Sequence, residues 1–212
     1  MRDLLAVLPM AVVMVAGPQI ITAIILVTGK GAKRNSAYFL AGAAAATTIG
    51  VTAAYLLTGL LKSGGRPFRS DPGLVRSVDF AIVAILLLLA WKVFRDRASA
   101  RTPKWMTKLE TATPLYALKV GVLLFVLLPG DLLSMATVGA YLAHHDAAWW
   151  NTLVFVGATV FLSGVPLLLL LLLGRRAQTL LPKIRNWMTA NSWIVSEIVI
   201  AFFLAMTVKS LL

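Results

Sequence analysis

The chain has 212 residues, 59 % of them hydrophobic and 13 % charged, with a mean hydropathy of +0.87. An ordinary soluble domain carries about a quarter charged residues, so this composition excludes a water-facing globule and points to a polytopic membrane protein. The net charge of +12 would suggest nucleic acid in a soluble protein, but here the basic residues sit between apolar runs, so the expected partners are membrane lipids and not nucleic acid.

In chain order, Leu4 to Gly29 and Asn35 to Leu61 carry no charge, and each exceeds the roughly 20 residues needed to cross a bilayer core, which makes them the first two spans. Ser77 to Phe94, with Asp79 and Lys92 near its ends, is a shorter third span whose charged ends snorkel. Thr113 to Ala143, interrupted by Pro129-Gly130-Asp131, is the fourth, Ala147 to Gly174 the fifth, and Ser192 to Leu211, with Glu197 and Lys209, the sixth. The first apolar run is too long for a signal peptide and is expected to be retained. The six tryptophans suit interfacial belts and protein interior equally.

Lys30, Lys33 and Arg34, the basic run Lys92 to Lys108, and Arg175, Arg176, Lys183 and Arg185 fall on one side of this arrangement and outnumber the Lys and Arg of the other. The positive-inside rule makes the richer side cytoplasmic, so this is expected to be a multi-pass protein of the cell membrane with both termini outside the cytoplasm. Thr102-Pro103 and Thr113-Pro114 each pair an N-cap with proline at the first helical position, which predicts a short helix over Pro103 to Glu110 leading into the fourth span. Pro182 to Thr189, with Ile184, Trp187 and Met188 at helical spacing, repeats the pattern. Both segments suit the membrane surface, basic residues toward lipid phosphates, or serve as plain connectors.

Three spans precede the connector and three follow it, dividing the chain into residues 1–94, a connector 95–112, and 113–212. Because three is odd, the second set enters the membrane from the opposite side, as an inverted repeat requires. Matching interruptions support it. Gly17-Pro18-Gln19 lies about 13 residues into the first span and Pro129-Gly130-Asp131 about 15 residues into the fourth. Gly42 and Gly157, and Asp79 and Glu197, are further echoes. Proline removes a backbone donor and glycine weakens the helix, so each break frees polar backbone at a depth without water, and paired breaks of this kind point to a substrate or ion site.

The candidate substrate- or ion-binding residues are therefore Gly17, Pro18, Gln19, Thr22, Pro129, Gly130 and Asp131. An ionised carboxylate at bilayer depth costs roughly 2.5–3.5 kcal/mol even on insertion scales, so Asp131 must face a cavity, find a partner or hold a proton. Proton carriage and capping of the second half of a broken helix are both open to it. Thr47, Thr48, Thr52 and Ser163 either line a path or bond back to their own helices. Lys119 and Glu197 either pair at the interface or snorkel apart. His144-His145-Asp146 resembles a metal cluster only superficially, since adjacent loop residues diverge. There are no cysteines, no Walker sequence, nucleophile elbow or zincin motif, so neither an enzyme nor a metal or cofactor protein is expected. Gly42, Gly50 and Gly59 suit close helix packing within one chain or in a homodimer.

The opening Leu4 to Arg34 with Gly17-Pro18 in mid-helix, the basic turn Lys30-Gly31-Ala32-Lys33-Arg34-Asn35, Gly42, the lead-in Pro103-Lys104-Trp105-Met106 to Leu109-Glu110, and Ala117 to Gly121 before a broken fourth helix resemble the GAP/Sap family, the glycopeptidolipid- and sulfolipid-addressing proteins within the LysE exporter superfamily. The resemblance covers nearly the whole chain. It implies an all-α membrane fold of six helices in two inverted halves, and export of a small-molecule or glycolipid cargo. Where the branch carries an Asn-Pro-rich turn, this chain has Leu128-Pro129-Gly130-Asp131, with an additional carboxylate. The expected function is a secondary exporter of lipid-like cargo, proton-coupled through Asp131. An accessory scaffold for a separate lipid export or synthesis machine and an exporter of amino acids or other small solutes are the alternatives.

Overall fold

The computed structural model describes residues 2–63 and 108–191, with parts of 83–95 and 193–208. The expected third span lies mostly, and the sixth partly, outside the described residues, as do Asp79 and the start of the Pro103 to Glu110 segment. Among the described residues every regular element is a helix: α1 (Arg2–Val15), α2 (Pro18–Thr28), α3 (Ala32–Ser63), α4 (Pro114–Leu127), α5 (Pro129–His144), α6 (Thr152–Leu173) and α7 (Arg175–Ala190). A 3-10 helix, Lys108–Thr111, covers the described end of the short helix expected over Pro103 to Glu110.

Two helices, Ala32–Ser63 and Trp149–Leu173, are long and apolar enough to cross a membrane unbroken. Two more candidates are bent pairs: α1 and α2 meet at 62°, and α4 and α5 at 72°. Proline alone does not explain the bends, because Pro9, Pro166 and Pro182 lie inside continuous helices. Among the described residues the bent pairs break where glycine adjoins proline, at Gly17-Pro18 and Pro129-Gly130. There the missing amide and the weak helix former act together.

The surface is apolar and part of the interior polar, the reverse of a soluble protein. Ile49, Leu60, Leu127, Leu133, Phe161 and Leu172 are exposed, whereas Gln19, Thr22, Asp131, Ser134, Thr159 and Ser163 are buried. The main core joins Met10 and Met14 of α1, Phe39 and Val51 of α3, Phe125 of α4, Met135 and Val138 of α5, and Phe155 of α6. Helix α3 runs along the bent α4–α5 pair, and α6 packs against the bent α1–α2 pair.

Glycines set how close α3 comes. A Cβ on Gly42 would strike the Leu118 carbonyl, and one on Gly121 would strike the Phe39 carbonyl, so α3 and α4 touch backbone to backbone. Gly139 repeats this lower down, with Val51 O at 2.6 Å and Tyr55 N at 2.8 Å from a Cβ built there. Gly157, the expected echo of Gly42, faces open space instead. The partner of Gly42 is in the opposite half of the chain.

Each end of the bundle is fastened. At one end Asn35 is buried and its Nδ2 donates to the carbonyls of Lys30 and Ala112, both at 2.8 Å, tying the first basic turn to the start of the second half. Thr113 then caps α4 by accepting from the Tyr116 amide at 3.3 Å, with Pro114 in the first turn, as the sequence predicts. At the other end Lys62 Nζ donates to Asp146 Oδ1 at 2.7 Å, Tyr55 Oη to Ala147 O at 2.8 Å and Trp149 Nε1 to Thr52 Oγ1 at 3.1 Å. The hydrogen bond from Lys62 and its charge hold the Asp146 carboxyl below the usual carboxylate range. Whatever this exposed pair contributes is present at neutral pH and disappears as pH falls through that lowered value. His145 lies against Tyr141, its Nδ1 meets the Tyr141 carbonyl at 2.9 Å, and its ring stands edge to face with that of His144 at 5.7 Å.

Gly42→Leu places a side chain where the Leu118 backbone stands. It should lower the stability of the purified protein by at least about 1–3 kcal/mol, the usual cost of overpacking. Gly157→Leu, in open space, should stay within about 0.5 kcal/mol of the parent. Thermal unfolding in detergent, followed by light scattering, checks both; equal effects of the two would remove the backbone contact from the account.

Candidate functional site

The two breaks meet inside the bundle. Gln19 stands in the first turn of α2 and Asp131 in the first turn of α5, on halves of the chain 112 residues apart, and Gln19 Nε2 donates to Asp131 Oδ2. Gln19 is 1 % exposed, Thr22 0 % and Asp131 5 %. Thr22 is one helical turn beyond Gln19 on the same face.

This pair is not a cap. The N-cap of α5 is Leu128, which offers no side-chain bond, and the Asp131 amide bonds to the Leu128 carbonyl at 3.0 Å. The Asp131 carboxyl turns across to the other half of the chain. Among the described residues it has no cationic partner. The helix-start dipoles of α2 and α5 supply partial positive charge near it, and the Gln19 amide supplies its one hydrogen bond.

The remaining polar groups are incompletely satisfied. Gln19 Oε1, Thr22 Oγ1 and Ser163 Oγ are buried without a hydrogen-bond partner among the described residues. A buried oxygen left this way costs about 1–3 kcal/mol, and two of the three stand on one face of α2, next to the contact with Asp131. Gly17 has extended backbone that any residue adopts. Its lack of a side chain matters because a Cβ there would lie 2.8 Å from Gln19 Oε1.

Of the seven residues that the sequence singles out, the structure brings Gln19, Thr22 and Asp131 into the interior, leaves Gly17 and Pro18 half-buried beside them, and turns Pro129 and Gly130 to the outer surface. The last two shape the site through the bend rather than by lining it. Thr47 bonds back to Ala43 O at 2.8 Å, and Thr52 accepts from Trp149, so neither is free to line a path. Among the described residues Lys119 and Glu197 form no ion pair; Lys119 is exposed and Glu197 Oε1 is buried. Ser134 was not singled out. It is buried one turn after Asp131 and donates to the Gly130 carbonyl at 2.9 Å, occupying one carbonyl at the second break. Its spacing of three residues from Asp131 was the available signal. An apolar pocket of about 330 Å³ lies beside the first break, between Val12, Val15, Ala16 and Ile20 and, across from them, Leu162, Val165 and Met188.

Apolar helices suited to membrane insertion, two of them broken at glycine-proline pairs that meet through a buried polar bond, define a helical membrane protein with an interior polar site. The matching family model is that of Sap, the sulfolipid-1-addressing protein, over residues 7–210. The chain belongs to this family, a membrane family linked to lipid handling. No characterised protein and no solved structure matches it.

The direct contact predicts energetic coupling between the two halves. In a double-mutant cycle, Gln19→Leu and Asp131→Leu should each destabilise the detergent-purified protein, and together by less than their sum. The difference should be about 0.5–2 kcal/mol, the range of hydrogen bonds between membrane helices. Strict additivity in thermal unfolding would mean that the bond contributes nothing.

Proposed function

We propose that this protein is a secondary exporter rather than an enzyme, built as two inverted halves of three spans each, with both termini outside the cytoplasm. Cargo passes between the halves by alternating access. The observation that carries the reading is the buried Gln19–Asp131 bond between two helix breaks. A bond joining the first span to the fourth lies where a two-fold relation between the halves would put it. The packing of α3 on α4–α5 and of α6 on α1–α2 agrees with the same relation, as does the contact of Leu40 on α3 with Gly164 on α6.

The family's link to sulfolipid and the apolar pocket beside the first break favour a lipid-like cargo over an amino acid. Asp131 binds a proton in one conformation and releases it in the other, as its cavity closes and opens to water. Gln19 moves with α2 and Asp131 with α5, so parting of the halves breaks their bond and frees both groups for water or cargo. Conformation and protonation are thereby coupled.

Asp131→Asn keeps the shape and the capacity to bond Gln19 but removes the titrating group. In proteoliposomes with an imposed pH gradient, uptake or release of a fluorescent lipid analogue should fall to the level of empty liposomes, with thermal stability nearly unchanged. Asp131→Glu should retain part of the activity with a displaced pH profile. Parent-like transport by Asp131→Asn that still follows the gradient would end the proton-coupling proposal. Transport by the parent only when a second protein is added would favour the accessory scaffold.

A further inference from the structure

The end of the bundle that carries the first basic turn holds an open cavity of about 680 Å³, between the start of α3 and the junction of α6 with α7. One wall is cationic. Lys33 and Arg34, in the first turn of α3, are exposed there and have no carboxylate partner among the described residues. The facing wall is Leu170 and Leu171 from the last turn of α6, and Gln178 closes the α7 side. Two walls of opposite character, one cationic and one aliphatic, fit an amphiphile with an anionic head.

Backbone adds to the positive field. Two helices begin at this cavity, α3 at Ala32 and α7 at Arg175, and neither has an acidic residue in its first turn. The N-cap of α7, Gly174, makes no side-chain bond. The starts of both helices thus place positive dipole ends beside the opening. The cationic wall is held in place. Gly31 takes the left-handed conformation, φ +69°, that glycine adopts most readily, and Asn35 pins the turn to Ala112 as described above.

The level of the cavity follows from α7. Ala177 and Leu181 anchor this helix on Ile24 and Val27. Leu180, Ile184 and Trp187 point outward beside the exposed Arg176 and Lys183. An apolar strip flanked by cations is the form of a helix lying in the headgroup layer, so the adjoining cavity opens at phosphate depth.

We propose that this cavity is a binding site for an anionic phospholipid of the surrounding bilayer, its phosphate held by Lys33, Arg34 and the helix starts, and its acyl chain laid along Leu170 and Leu171. Charge complementarity selects the occupant. A zwitterionic lipid would bring its ammonium group to a wall that has no carboxylate among the described residues, and free phosphate makes no use of the leucines. The site is at the edge of the bundle, away from Gln19 and Asp131, and stands whether or not the protein transports.

Native mass spectrometry of the purified full-length protein, titrated with phosphatidylglycerol or phosphatidylcholine in detergent, tests this. The parent should retain phosphatidylglycerol in preference to phosphatidylcholine. Lys33→Gln with Arg34→Gln should lower phosphatidylglycerol retention at least about tenfold, as expected for two cations near an anionic headgroup, without changing phosphatidylcholine. Leu171→Ser should weaken retention of phosphatidylglycerol as well, and Lys62→Gln, at the opposite end of the bundle, should leave it unaltered. Inorganic phosphate should not displace the lipid. Equal retention of the two lipids by the parent, an unchanged preference in the double variant, or displacement by inorganic phosphate would overturn the proposal.

Discussion

A helix break in the interior of a membrane protein leaves backbone amides and carbonyls without helical partners where water is scarce, and among its described residues this chain has two such breaks, between α1 and α2 and between α4 and α5. Each break is a glycine-proline pair, and each brings a polar side chain, Gln19 or Asp131, into the first turn of the helix that resumes. The hydrogen bond between these two side chains lets the breaks coexist inside the protein. Without it, a carboxylate and a carboxamide would stand buried and unpaired.

The rest of the packing holds that bond in place. For α5 to carry Asp131 inward, the bent α4–α5 pair must be supported along its length, and α3 provides the support by backbone contact at Gly42, Gly121 and Gly139. Close approach of this kind replaces the hydrophobic driving force that lipid does not supply between membrane helices. The α1–α2 pair is backed by α6. Polar ties at opposite ends of the bundle, Asn35 to Ala112 and Lys62 to Asp146, each join the first half of the chain to the second. The site is therefore bounded by contacts between halves rather than within them. In the exporter proposed above, a motion of one half against the other changes these contacts together.

Much of this was legible from residue order. The second and fifth spans follow from uninterrupted apolar runs, the two breaks from glycine adjoining proline, and the start of α4 from Thr113-Pro114. Asp131 stood out because a carboxylate at that depth needs a reason. What was not legible are relations between distant parts of the chain. Matching Gly42 with Gly157 by position missed that Gly42 lies against the Leu118 carbonyl, which only the packing of α3 on α4 determines. Likewise Pro129 and Gly130 read as site residues because they cause the bend, yet a residue that bends a helix need not face the interior. The surface helix expected from Pro182 begins already at Arg175, because Ala177 and Leu181 find an apolar seat on Ile24 and Val27 that the local sequence does not reveal.

The central claim is that the α1–α2 and α4–α5 breaks touch inside the protein. Since the chain has no cysteine, thiols introduced by Gln19→Cys and Asp131→Cys would be its only two. In native membranes, a short membrane-permeant thiol cross-linker should bridge this pair rapidly. The control pair Gln19→Cys with Leu132→Cys, whose second position points to the outer surface, should bridge slowly or not at all. Cross-linking of the Gln19 and Asp131 positions no faster than the control would contradict the account.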